Sequence, residues 1–154
     1  MPQPSRTLIH ATAVETQGRA ALLLGPSGAG KSDLALRTIM SPFRDGDRTV
    51  LVSLVADDQV MIEKVGSTLL ASPPPAIAGL IEVRGIGILP MTYSASAEIR
   101  LVIRLQPADT IERHPDPRQR HTILGVELPL VALDAQSVGA AVKLVAALLR
   151  SDMV

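Results

Sequence analysis

Apolar positions follow two rhythms along the chain: short runs of strand length recur up to residue 133, and only residues 33–40 and 135–150 repeat at helical spacing. The chain is therefore read as strand-rich. Residues 7–16 predict one strand and residues 20–24 its neighbour, joined by a turn at Gly18-Arg19. Residues 33–40, with Leu34, Leu36, Ile39 and Met40, predict a helix that Pro42 ends, because the residue before a proline is pushed away from helical conformation. After a polar connection over 43–48, residues 49–56 form an almost uninterrupted leucine and β-branched run that ends in Asp57-Asp58. That is the pattern of a central strand buried on both faces.

Residues 59–64 and 67–71 predict a hairpin about Gly66, and Ser72-Pro73-Pro74-Pro75 then interrupts regular structure. Over 80–88, Glu82 and Arg84 alternate with apolar residues, so an extended segment carries both on one side, and Gly85 and Gly87 permit close approach of a ligand or another backbone. Ile99, Leu101, Ile103 and Leu105 alternate with Glu98, Arg100 and Arg104, which predicts a half-buried strand. The proline-interrupted residues 107–119 read as a loop, and 125–133 as a strand broken by Pro129. In the last helix, 135–150, Val138, Val142, Val145 and Leu149 fall at helical spacing and predict the packing face.

A length of 154 residues and 47% hydrophobic composition fit one domain spanning 1–154 with a substantial core. Lys+Arg 15 against Asp+Glu 15 gives no general attraction to nucleic acid or an anionic membrane. Phe43 and Tyr93 are the only aromatic residues, so a purine would be held by aliphatic and backbone groups rather than by stacking. Cysteine is absent, which removes disulfides and thiolate metal sites. The opening Met1-Pro2-Gln3-Pro4-Ser5-Arg6 lacks a signal-peptide core, and no run reaches membrane-spanning length, so the expectation is a cytoplasmic protein.

The chemistry concentrates in Gly25-Pro26-Ser27-Gly28-Ala29-Gly30-Lys31-Ser32, a match to G-x-x-x-x-G-K-[ST] between a predicted strand and a predicted helix. In this pattern backbone N–H groups curl round a phosphate, the lysine reaches the β- and γ-phosphates and the serine hydroxyl ligates Mg²⁺. Asp57 and Asp58 close a strand near that loop, where a carboxylate handles the ion or the attacking group, although aspartates are also common in solvated turns. His10, Glu82 and Arg84 each admit a structural or a catalytic reading. The arginine-rich loop 107–119 could hold a movable cation.

In their order along the chain, four motifs resemble the catalytic domain of HPr kinase/phosphorylase. They are His10; the phosphate loop followed by Asp33-Leu34-Ala35-Leu36; Val55-Ala56-Asp57-Asp58; and Ile81-Glu82-Val83-Arg84-Gly85-Ile86-Gly87-Ile88. The likeness covers nearly the whole chain, which is similar to the short proteobacterial forms in beginning where the family's catalytic domain begins, so the expectation is a form without the amino-terminal domain. It implies an α/β P-loop kinase domain, a strand-rich mixed sheet flanked by helices, similar to the nucleotide-binding part of phosphoenolpyruvate carboxykinase. It also implies ATP and Mg²⁺ as cofactors, and phosphorylation of a serine on HPr, the small phosphocarrier protein of the sugar phosphotransferase system. Assembly of copies of the chain, as hexamers, is a further implication. Position by position, the resemblance makes Lys31 the phosphate-binding lysine, Ser32 and Glu82 the Mg²⁺ ligands, His10 and Asp58 the catalytic pair, and Arg113 the mobile arginine. Asp57 and Arg84 are secondary candidates beside them. Two departures stand out: a longer connection over 41–53, and Leu128-Pro129-Leu130-Val131-Ala132-Leu133-Asp134-Ala135-Gln136 where the family carries a Pro-Gly-Arg-Asn-type stretch linked to dephosphorylation. The kinase direction is therefore expected to dominate. A small-molecule phosphotransferase on the same scaffold, or a nucleotide-sensing module without transfer, are the competing readings.

Overall fold

The computed structural model describes residues 5–153; residues 1–4 of the stretch read for a signal segment lie outside the described residues, as does residue 154. The elements are β1 (Arg6–His10), β2 (Thr12–Thr16), β3 (Arg19–Leu24), α1 (Lys31–Ile39), β4 (Phe43–Asp45), β5 (Arg48–Val50), β6 (Ser53–Ala56), β7 (Gln59–Val65), β8 (Thr68–Ser72), β9 (Leu80–Val83), β10 (Gly87–Pro90), β11 (Ala97–Leu105), β12 (Arg120–Ile123), β13 (Val126–Leu133) and α2 (Ala140–Leu149). The main sheet runs β1-β7-β8-β11-β3-β2-β6, with β13 also on β11 and β12 on β13. Among the described residues only β11 with β3 and β11 with β13 are parallel strand pairs, so the sheet is mixed.

Successive residues of β3 serve two cores. Ala21 and Leu23 pack with Leu34 and Ala35 of α1 and with Leu144 and Leu148 of α2, whereas Ala20 and Leu22 pack with residues of β7, β8 and β13. Both helices thus cover one face, and curled strands close the other. Each fully buried leucine in these cores contributes about 1.5–3 kcal/mol relative to exposure.

Several expectations are corrected. The strand predicted over 7–16 breaks at Ala11 into β1 and β2, which pair with different partners, β7 and β6 respectively. The polar connection 43–48 is mostly a hairpin of β4 and β5. The run 49–56 is not one central strand: Leu51 is exposed, and β6 ends the path of the sheet. Its outer side is covered where Leu54 bridges to Tyr93 and its carbonyl accepts from Ser94 N–H at 2.8 Å, which explains why so apolar a strand tolerates the edge. The extended segment 80–88 turns back on itself, β9 pairing with β10 and Arg84 falling in the turn.

β11 keeps Glu98 and Arg100 half-buried and Arg104 exposed, as the alternation predicts, but Leu101, Val102 and Ile103 are buried in succession on both faces, and a register shift against β3 between Ile99 and Leu101 sends those two into different cores. A bulge inverts side-chain facing in this way, which a strict period of two does not anticipate. Finally, α2 begins at Ala140 rather than 135, after turns at 135–136 and 138–139, so Val138 is 99% exposed and Val142 is exposed too. Its buried stripe is Ala140, Ala141, Leu144, Val145 and Leu148, small residues at one end where α1 packs close. No helix among the described residues is long and apolar enough to cross a membrane.

Candidate active site

The phosphate loop is held by its own backbone. Ala29 N–H donates to the Pro26 carbonyl at 3.0 Å, and Gly28 and Gly30 adopt φ of +84° and +98°. A Cβ on Gly30 would also stand 3.1 Å from the Ala135 side chain, so glycine is required both for conformation and for space. α1 starts at once with Lys31, and no side chain caps its first turn, which leaves those N–H groups and the positive end of the helix to an anion. Lys31 is buried at 7% exposure, and its ammonium donates to the Gly25 carbonyl at 2.5 Å and the Pro26 carbonyl at 3.1 Å. The cation is thereby folded against the loop it serves.

The second wall comes from a double kink. β1 and β7 pair as far as His10 opposite Gln59, and β2 and β6 pair from Ala13 opposite Ala56, so Ala11 and the Asp57-Asp58 bend face one another at the break. Ala11 N–H donates to the Asp58 carbonyl at 3.1 Å, and Gln59 N–H to the Asp57 carbonyl at 2.8 Å, which closes a tight turn with Asp58 at φ +69°. A non-glycine residue in that region is strained, a condition that persists where surrounding contacts fix it. The turn brings Asp58 Oδ1 within 3.3 Å of His10 Nδ1, both side chains open to the cleft.

Asp57 points the other way and is buried, at 4% exposure. Its Oδ1 accepts from the Thr12 hydroxyl at 2.9 Å and the Ser32 hydroxyl at 2.6 Å, and its Oδ2 from Glu82 N–H at 3.0 Å. One carboxylate thus ties together β2, the start of α1 and β9.

These walls enclose a cleft of about 750 Å³ lined among others by Ser27, Gly28, Gly30, Lys31 and Ser32 of the loop, by His10, Thr12 and Asp58, by Glu82, Arg84 and Gly85 of the β9–β10 hairpin, and by Gln136. Of the predicted site residues, Gly25, Pro26 and Ala29 build the loop behind this surface, and Asp57 lies beneath it. Arg113 is exposed on the loop between β11 and β12 and does not line the cleft. Thr12 and Gln136 line the cleft without being among the predicted residues. Thr12 left one signal, a lone hydroxyl two residues beyond His10 between Ala11 and Ala13; Gln136 left none.

The donors fit a hard cation. The Ser32 hydroxyl and the Glu82 carboxylate offer oxygen atoms in one cleft, and no three His, Asp or Glu side chains group as a metal set among the described residues. A Mg²⁺ ion here would take its other ligands from phosphate oxygens and water, which is its usual habit. An anion cradle facing a carboxylate–imidazole pair can hold a phosphoryl donor while a hydroxyl loses its proton.

Residues 4–152 match the family model described as HPr Serine kinase C-terminal domain. The HPr kinase/phosphorylase of Caldicellulosiruptor bescii is 36% identical over 135 residues, 80% of this chain and 40% of that protein. That of Lactobacillus acidophilus is 34% identical over 137 residues, 82% of this chain and 40% of that protein. This chain therefore spans about 40% of the length of these curated relatives. The solved Hpr(Ser) kinase/phosphatase from Coxiella burnetii superposes with a TM-score of 0.74 at 24% identity, covering 95% of this chain and 90% of that one, which is a likeness of fold. With the four motifs gathered round one cleft and the family model matched almost from end to end, the chain belongs to the HPr serine kinase C-terminal domain family.

Proposed function

We propose that residues 1–154 act as one catalytic domain that transfers the γ-phosphoryl group of ATP to a serine hydroxyl of an HPr-type phosphocarrier protein. The observation that carries this reading is the His10–Asp58 pair, 3.3 Å apart and opposite the phosphate loop in the same cleft. A serine hydroxyl is a weak nucleophile at neutral pH, so the Asp58 carboxylate takes its proton as the oxygen attacks the γ-phosphorus and ADP departs. His10 orients that carboxylate. Lys31 leaves its two carbonyl partners for the phosphates, and the loop N–H groups hold the rest of the charge. Ser32 and Glu82 would hold Mg²⁺, which supplies charge neutralisation at the phosphate oxygens. The names of the relatives favour this over a small-molecule acceptor.

Incubation of the protein with ATP, Mg²⁺ and purified HPr, followed by mass spectrometry of the carrier, tests the reading. A single phosphate on a serine is expected. Unmodified HPr beside rapid labelling of a small hydroxyl compound would overturn it. Added inorganic phosphate measures the reverse reaction, expected to be the slower one because 128–136 lacks the Pro-Gly-Arg-Asn-type stretch.

A further inference from the structure

We infer that Thr12 is a positioning residue for the nucleotide-bound ion, acting through Asp57 on Ser32; the inference rests on the reading that Mg–ATP occupies this cleft. Thr12 is fully buried, a single hydroxyl between Ala11 and Ala13, and a polar group in such a place needs a partner. It has two. The hydroxyl donates to Asp57 Oδ1 at 2.9 Å and accepts, at a long 3.5 Å, from Asp58 N–H. One side chain therefore touches both aspartates of the turn.

A carboxylate offers about four lone-pair directions, two on each oxygen. Thr12 and Ser32 occupy Oδ1, and Glu82 N–H occupies one direction on Oδ2. With Oδ1 saturated, Asp57 has no free direction there for a cation. It works instead by accepting the Ser32 proton at 2.6 Å, which leaves the Ser32 lone pairs free for the ion. Without the Thr12 hydroxyl, a direction on Oδ1 opens, the carboxylate can turn, and the Ser32 oxygen loses its fixed aim. Partners of this kind behind a metal ligand typically change metal affinity or activity by about 10–100-fold when removed.

The closing experiment compares wild type, Thr12→Val and Thr12→Ser by calorimetric titration with ATP, once with excess Mg²⁺ and once in EDTA. Valine keeps the shape and removes the hydroxyl. Expected is a loss of about tenfold in the gain of affinity that Mg²⁺ confers, with binding in EDTA unchanged and the gain restored by serine. The EDTA titration also reports folding, since a collapsed loop would bind nothing under either condition; if Thr12→Val fails that check, Thr12→Ala is read in the same way. A Thr12 variant with the full Mg²⁺ gain overturns the inference, and so does a wild-type protein with no such gain. If Mg²⁺ behaves as expected but HPr stays unmodified, the acceptor assignment falls and the role of Thr12 stands.

Discussion

His10 Nδ1 lies 3.3 Å from Asp58 Oδ1 because two kinks fall opposite one another, at Ala11 between β1 and β2 and at Asp57-Asp58 between β6 and β7. The pair is made by strand register, and it leaves the carboxylate open to the cleft. Replacing Asp58 by Asn keeps the shape and the turn, where asparagine also tolerates positive φ, but removes the carboxylate proposed to accept the proton. The expected result is a fall of about 10²–10⁴-fold in kcat for phosphorylation of HPr, with ATP affinity retained. Single-turnover kinetics and nucleotide titration separate the two. Near-wild-type turnover in Asp58→Asn would remove Asp58 from the chemistry.

Lys31 carries a different expectation, because its ammonium is already confined by the Gly25 and Pro26 carbonyls and is nearly buried. Such a preorganised cation acts on charge that develops on the phosphoryl oxygens, where it is worth more than in water. Lys31→Met, which keeps the stem and drops the charge, is expected to lower transfer by about 10²-fold or more, read by radiolabel incorporation into the carrier. Loss of ATP binding alone, with kcat intact at saturation, would show the lysine to be a binding group only.

What the chain declares openly is local. The strand–loop–helix unit around Lys31 was legible because the motif, the apolar run before it and Pro42 after it are contiguous, and the hairpin about Gly66 was legible for the same reason. Relations set by register were not. The meeting of Ala11 with Asp58, the bulge that separates Ile99 from Leu101, and the place of β6 at the end of the sheet all depend on which strand lies beside which. α2 misled for another reason: nearly every residue in it is apolar, so the spacing of Val138 and Val142 fitted a helix face without identifying the buried one. Asp57 shows the same limit at the site, since the sequence put it beside Asp58 but only the fold turns it inward to three donors.

Arg37 fastens α1 to the segment that follows β13. Its guanidinium donates to the carbonyls of Ala135 and Ser137, and its Nε lies 3.2 Å from an Asp33 carboxylate oxygen, one turn earlier in α1. The two carbonyl contacts tie α1 to residues 135–137, the segment whose Ala135 side chain would meet any Cβ at Gly30. Hydrogen bonds from a charged group contribute about 1.5–3 kcal/mol, so Arg37→Met is expected to lower the Tm by several degrees and weaken ATP binding together. Thermal unfolding with and without ATP measures both. A lower Tm with an undiminished ATP-induced stabilisation would confine Arg37 to the fold.

His121 gives a pH dependence away from the cleft. It sits half-buried on β12, opposite Leu128 of β13, and burial first, then the nearby Arg104 guanidinium, pushes its pKa below the ordinary value of 6.5. The folded chain therefore binds this proton less readily than the unfolded chain, and stability rises with pH wherever the unfolded state holds more protons. The contribution is fully present above pH 6.5 and is lost as pH falls through the depressed folded value. His121→Gln removes the titrating group, so urea midpoints of wild type and variant should diverge in their pH slopes between that folded value and 6.5 and run parallel above it. Arg104→Gln should shrink the wild-type slope only in part, because burial, the larger cause, remains. Parallel slopes throughout for wild type and His121→Gln would show that His121 titrates alike in both states.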